Sequence, residues 1–307
     1  MNKKYQLFEV DFKNSSQVDE ILELLRLTFP HTNYFNKTWW EWKYLGRTHL
    51  SPIGWAFRDV ISQRIISIRL LWPFRFYYYG KEVTVFQPLD TATHPAYQGQ
   101  GLFSQLINHS VKVVAEYNSL MFNFPNENSI RGNIKNGWVH IGKIKWYYGI
   151  LLKNYRVNPR SLLVVEPIKE NTRLQVKNYS LLHSELLVDE NFIQWRFGQH
   201  PLFEYFIVQD ENGFLIYRQE LKYGLMVTRI LLAKGDEKFV KNAVSCLKAK
   251  WVNIICYNGF NLTVIQAIRD LAVFCFRSGN ANYVIHNLSN MKVSQIQNLE
   301  IGFADFI

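Results

Sequence analysis

Residues 95–103, Pro-Ala-Tyr-Gln-Gly-Gln-Gly-Leu-Phe, constrain this chain more than any other stretch. They separate an extended run, residues 83–93, from a helix-like run, residues 102–117. A turn that opens a helix leaves backbone N–H groups without intrahelical partners, and the helix dipole adds about half a positive charge there. Such a place binds anions, phosphates above all. Gly99 and Gly101 carry no Cβ, so an anion can come close to the backbone. The stretch is neither of the two commoner phosphate motifs. No Gly-Lys-Ser or Gly-Lys-Thr follows it, and it lacks the G-x-G-x-x-G of dinucleotide folds.

Gln98, Gly101 and Phe103 give the pattern Gln-x-x-Gly-x-Phe. It resembles motif A of the GNAT acyltransferase superfamily, Gln/Arg-x-x-Gly-x-Gly/Ala. Phe103 departs from the small residue usual at the last position, so its ring must enter the core or reshape the groove. Downstream, Asn126, Ser129, Asn133, Gly137 and Trp138 resemble the Asn-x-x-Ser, Tyr, Gly-Phe series of the same superfamily. Asn133 stands where the family tyrosine, its usual general acid, would be. The resemblance spans residues 86–138. It implies an α/β GNAT fold with a mixed sheet and an acyl-coenzyme A co-substrate. The turn, Gln98, Gly99, Gln100, Gly101, Leu102 and Phe103, would grip the coenzyme diphosphate. Thr91, Ala92 and Thr93 would supply strand contacts to the pantetheine arm, and Asn126 would lie where that arm passes. The two central strands of such a fold splay apart. Pro88 cannot donate to a ladder and so marks a bulge or edge in the first of them.

The chain has 307 residues, enough for two domains, and 48% of them are hydrophobic. The formal net charge of +10 suits anionic ligands such as coenzyme A or a nucleotide-linked substrate. Arg58, Arg64, Arg69, Arg75 and Lys81 are spread through strand-like segments without a dense cluster, so no nucleic-acid partner is expected. Cys246, Cys256 and Cys275 form no Cys-x-x-Cys pair and the histidines no metal-ligand spacing, so neither metal nor disulfide framework is expected. Residues 1–11 have no apolar core of a leader, and the most apolar run, residues 65–79, is broken by Arg69, Pro73 and Arg75. A soluble, cytoplasmic protein without a membrane span is the expectation.

Apolar periodicity predicts a strand at 5–10, a helix capped by Ser15 or Ser16, an aromatic-rich helix at 38–45 and strands at 55–60, 63–73 and 82–93. After the turn come the helix, a strand at 120–124, a helix at 129–136 and a strand at 146–153. The second half echoes this order. Trp40-Glu-Trp-Lys-Tyr-Leu, then Pro52 and Trp55, is matched by Phe192-Ile-Gln-Trp-Arg-Phe, then Pro201 and Tyr205. Strand-like runs at 205–209, 214–220 and 224–233, a helix-like run at 237–249 and a strand at 252–257 follow. The matching turn reads Lys234-Gly-Asp-Glu, without the glycine pattern. We therefore expect two GNAT-like units in tandem, 1–153 and 186–307, with 154–185 as connection and the second unit degenerate.

An amine of pKa about 10.4 costs about 4–5 kcal/mol to deprotonate at pH 7, whereas a thiolate leaves without much help. The proton outlet therefore matters more than the general acid. Asp90 and His94 are the catalytic candidates. The competing readings are a carboxylate paired with a nearby cation and a histidine that shapes the turn before Pro95. Trp39 and Trp40 are candidates for an acceptor-pocket wall, with His31, Asn33 and Asn123 as further substrate contacts. The aromatic helix and degenerate second half resemble bacterial N-acyltransferases of nucleotide-linked amino sugars. That resemblance implies transfer of an acetyl or short hydroxyacyl group to a dTDP-linked amino-deoxy sugar in surface-polysaccharide synthesis. The alternatives are another amine acceptor, whether peptide, lysine, polyamine or aminoglycoside, or a non-catalytic binding protein.

Overall fold

The computed structural model describes residues 4–46, 50–117, 119–152, 163–176, 184–247, 252–259 and 261–287. They divide into two compact units. Of the described residues, one takes those within 4–76, 81–142 and 282–287, the other those within 77–80 and 143–281.

In the first unit, β1 (Tyr5–Glu9) is followed by α1 (Ser15–Thr28). The helix buries the stripe Val18, Ile21, Leu22, Leu24 and Leu25. Its cap is Asn14, one residue before the expected serines, whose side chain accepts from Gln17 N. Next comes α2 (Lys37–Trp40), capped by Asn36 and continued by a π-helical turn, Glu41–Leu45. Then follow β2 (Ile53–Asp59), β3 (Ile65–Tyr78), β4 (Lys81–Thr93), α3 (Leu102–Glu116), β5 (Leu120–Asn123) and α4 (Glu127–Lys135). The expected helices and strands of this half are all present. The strand order is β1-β2-β3-β4-β5, with β4 and β5 parallel. On one face, Leu102, Leu106, Ile107 and Val114 of α3 pack on Trp55, Phe57, Leu71, Phe86 and Met121.

The second unit repeats this plan. Here β6 (Val139–Leu152) contributes its later residues. Then come β7 (Val164–Pro167), β8 (Ser184–Leu186) and α5 (Glu190–Ile193), which again runs into a π-helical turn, Gln194–Gly198. β9 (Phe206–Asp210), β10 (Gly213–Lys222), β11 (Leu225–Gly235), α6 (Glu237–Cys246), β12 (Val252–Asn258) and α7 (Leu262–Leu271) complete it. β11 and β12 are parallel, as β4 and β5 are. The sequence echo is thus structural: both aromatic segments form a four-residue α-helix with a π-turn. The corresponding helix start differs. The Asp236 carboxylate caps α6 by accepting from Phe239 N at 2.7 Å, so a negative charge of the chain itself sits where an anion would.

Two elements were not foreseen from the sequence. The last strand, β13 (Phe274–Asn287), follows α7, which was also unforeseen. Its end pairs antiparallel with β5, Val284 facing Asn123 and Ile285 facing Phe122. Reciprocally, residues 146–152 of β6 pair with β12 in the second unit. The units therefore differ from the expected 1–153 and 186–307. Each strand is long enough, at 14 residues, to begin in one unit and end in the other. Most of the expected connection, 153–162 with Pro159 and 177–183, lies outside the described residues.

The exchanged end is part of the first unit's core, for Tyr283, Val284 and Ile285 have no exposed surface. A fragment of residues 1–153 lacks it and bares the edge of β5, an open template for other strands. Such a fragment is expected to aggregate or to melt without a cooperative transition by circular dichroism. A cooperative melt matching the full chain would contradict the exchange.

Candidate active site

The loop between β4 and α3 keeps its donors unused. Pro95–Tyr97 forms a single 3-10 turn that His94 caps, its Nδ1 accepting from Ala96 N at 3.2 Å. Gln98 N then donates to Pro95 O. From Gly99 to Ser104 the amides make no hydrogen bond to any described residue, and no side chain caps α3. Gly99 and Gly101 sit at φ +75° and +78°, in the left-handed region that glycine adopts without strain. A Cβ on Gly99 would meet nothing within 4 Å, so the space above the backbone is open. Gln98 and Gln100 are exposed, yet both side chains bond within this region. Gln98 Nε2 donates to Thr93 O at 3.2 Å, and Gln100 Oε1 accepts from Tyr5 OH. The glutamine side chains brace the turn while its amides stay unused at the N-terminus of a 15-residue helix.

Phe103 is half-buried, and its ring lies against Gly132 of α4, where an added Cβ would stand 2.6 Å from Phe103 Cε1. The departure from a small residue is thus balanced by a glycine on the neighbouring helix. Leu102 is buried in the core beneath α3.

Beside this loop, β4 and β5 pair only over Val85–Phe86 and Leu120–Met121. Past that point the strands part. The parted stretch of β4 contains Pro88 and Asp90. Asp90, and not the proline, is the irregular residue, at φ +46°. Its Oδ2 accepts from Lys43 Nζ at 2.5 Å and from Tyr44 OH. Lys43 is 1% exposed and its ammonium lies 4.5 Å from the Trp39 ring centroid, with the Tyr44 and Trp72 rings also near. Burial, then the Asp90 charge, pushes the Tyr44 hydroxyl well up and Tyr34 to about 12, so both stay protonated. Asp90 Oδ1 bonds to no described residue and is not sealed from solvent. The carboxylate is thus held by one oxygen and bare at the other.

The remaining candidates separate. His94 spends Nδ1 on the turn, so its neutral ring carries the proton on Nε2 and offers no lone pair to an amine. Trp39 and Trp40 are 4% and 1% exposed; Trp40 Nε1 donates to Phe12 O, and both rings belong to the core and not to an open wall. His31 and Asn33 are exposed on the loop before α2. Asn123 Oδ1 accepts from Phe124 N, and Asn126 caps α4 by accepting from Asn128 N and Ser129 N. Thr93 shares a hydrogen bond with Ser67, while Thr91 is half-buried and Ala92 buried on the parted strand. Asn133 is buried, its Nδ2 donating to Ser129 O, so it is no replacement acid. Lys43 and Tyr44 were missed by sequence reasoning. Their signal is a lysine set between Trp42 and Tyr44, off the side that carries Lys37, Thr38 and Glu41. Among the described residues no group of three or more His, Cys, Asp or Glu could hold a metal ion. No described helix is long and apolar enough to cross a membrane.

A family model described as an acetyltransferase (GNAT) domain matches residues 9–138, the stretch that holds the loop and Asp90. Residues 9–138 are thus similar to a GNAT acetyltransferase domain. Its co-substrate is acyl-coenzyme A, and its chemistry is N-acyl transfer. Solved structures share the fold. A GCN5-related N-acetyltransferase of Anabaena variabilis has a TM-score of 0.65 at 12% identity, over 92% of this chain and 73% of that one. A probable N-acyltransferase of Enterococcus faecalis has a TM-score of 0.66 at 11% identity, over 94% and 73%. Saccharomyces cerevisiae N-myristoyltransferase, solved with myristoyl-CoA, has a TM-score of 0.60 at 13% identity, over 94% and 80%. No curated protein sequence matches the chain significantly.

Two expectations concern the GNAT loop. A Cβ at Gly101 forces a left-handed residue worth about 1–2 kcal/mol. Gly101→Ala should therefore weaken coenzyme A binding about 5–30-fold by calorimetry, and unchanged affinity would contradict the loop's role. Gly132→Ala should lower stability by about 1–3 kcal/mol by overpacking Phe103. Adding Phe103→Leu should recover most of that loss in thermal melts, and additive losses would show that the two do not press on each other.

Proposed function

We propose that the chain transfers an acyl group from acyl-coenzyme A to a primary amine, with the amine of a nucleotide-linked amino-deoxy sugar as acceptor. The row of unused amides from Gly99 to Ser104 carries this reading. A diphosphate there gains several charge-assisted hydrogen bonds and the positive end of α3. The parting of β4 and β5 leaves edge groups that suit the amide-bearing pantetheine arm, laid in like an added strand.

The reaction balances with this domain's own groups. Asp90 Oδ1 takes a proton from the acceptor ammonium. The amine lone pair attacks the thioester carbonyl, the C–S bond breaks, and the thiolate leaves and takes up the second amine proton. A positioned base contributes typically about 10²–10⁴ in rate. The net charge of +10 favours an anionic acceptor over a polyamine or aminoglycoside, which would need an acidic cleft.

The test is thiol release from acetyl-, propionyl- and hydroxybutyryl-coenzyme A with dTDP-amino sugars, free amino sugars, peptides and spermidine. We expect turnover with the nucleotide-linked sugars at least tenfold above the other amines. Preference for a peptide or polyamine would overturn the acceptor assignment, and no release with any amine would overturn the catalytic reading.

A further inference from the structure

The π-helical turn Glu41–Leu45 faces the left-handed Asp90, two uncommon backbone states meeting at one carboxylate. π-turns and left-handed non-glycine residues both carry a conformational cost, and both gather at functional sites. The turn brings three successive residues, Trp42, Lys43 and Tyr44, into the interior, which a regular helix of this length would not do. Lys43 is held from both ends, since its carbonyl accepts from Trp72 Nε1 at 3.1 Å. Its ammonium, caged by Trp39, Tyr44 and Trp72, meets Asp90 Oδ2. The equivalent turn of the second unit buries Arg196 between Trp195 and Phe197, so a buried cation recurs at the same place in the plan. A buried ion pair adds little stability compared with apolar residues of the same size. Stability alone therefore gives no reason for a lysine here.

We propose that Lys43 and Tyr44 are positioning residues for acyl transfer. They saturate Oδ2 of Asp90, fix the orientation of the carboxylate, and turn Oδ1 toward the parted strands as the oxygen that meets the acceptor. This rests on the reading of Asp90 as proton acceptor. The consequence is that the acceptor enters as a compact cationic primary amine and lies against Oδ1, with the protonated Tyr34 hydroxyl at the edge of the same charge field. Secondary and acylated amines, with fewer donors, lose that contact.

The experiment compares wild type with Asp90→Asn, Lys43→Met, Tyr44→Phe and the double variant Lys43→Met/Asp90→Asn. Thiol release from acetyl-coenzyme A is followed with glucosamine and dTDP-linked amino sugars as probes, and with water alone as basal acceptor. Thermal shift with coenzyme A, read on every variant, reports the loop independently. We expect Asp90→Asn and Lys43→Met each to lower kcat at least tenfold, and Tyr44→Phe about threefold to tenfold. KM for acetyl-coenzyme A should stay within twofold, and the double variant should be no slower than Asp90→Asn. Should Lys43→Met fail to fold, Tyr44→Phe and the charge-neutral double variant still decide. Full activity in Tyr44→Phe, or losses that multiply in the double variant, would overturn the positioning role. A missing coenzyme A shift in wild type would instead overturn the acyl-coenzyme A reading itself.

Discussion

Left-handed backbone at Gly99 and Gly101 is the constraint on which the site depends. It swings the chain from β4 into α3, and the space at Gly99 is left open, nothing lying within 4 Å of where its Cβ would be. A Cβ on either residue would strain that left-handed backbone by about 1–2 kcal/mol. The second unit shows the alternative. There Asp236 supplies the anion from within, and α6 has the same place in the plan with a filled N-terminus. One helix start has no side-chain cap, and the other is capped by the chain.

The Asp90 bulge extends the same logic to the strand. Parallel strands joined by a helix normally pair along their length, and β4 and β5 pair for two residues on each strand. Past that, β4 turns its carboxylate to the face occupied by α2 and its π-turn, where Lys43 and Tyr44 hold it. The α3 face, by contrast, is apolar, with Leu106, Ile107 and Val114 against Trp55 and Phe86. Unused loop amides, parted strands and an anchored carboxylate thus all come from β4 and the elements on its two sides.

Much of this was legible in the sequence because it is local. Helix stripes such as Val18, Ile21 and Leu25, the strand-turn-helix at 83–117, and the repeated aromatic segments depend on neighbours within a few turns. The glycines declared the loop for the same reason. Long-range partners were not legible. Nothing in residues 274–287 announces that their end pairs with β5, because pairing depends on an edge created far earlier in the chain. The sequence leaves Asp90 and His94 both open as bases, each with a structural alternative. The structure shows the partners that the sequence could not: His94 Nδ1 accepts from Ala96 N, and Asp90 Oδ2 accepts from Lys43 Nζ. Trp39 and Trp40 look like ligand-stacking residues in sequence because aromatic rings serve cores and pockets alike; burial decides between them.

Amide-resolved NMR with coenzyme A is the most direct measurement of the central claim. Titration of the ¹⁵N-labelled chain should move the N–H resonances of Gly99, Gly101 and their neighbours to Ser104 furthest, and downfield, as each meets a phosphate oxygen. Desulfo-coenzyme A should do the same, since the thiol takes no part in that contact. Loop resonances left unmoved while others shift would contradict the account.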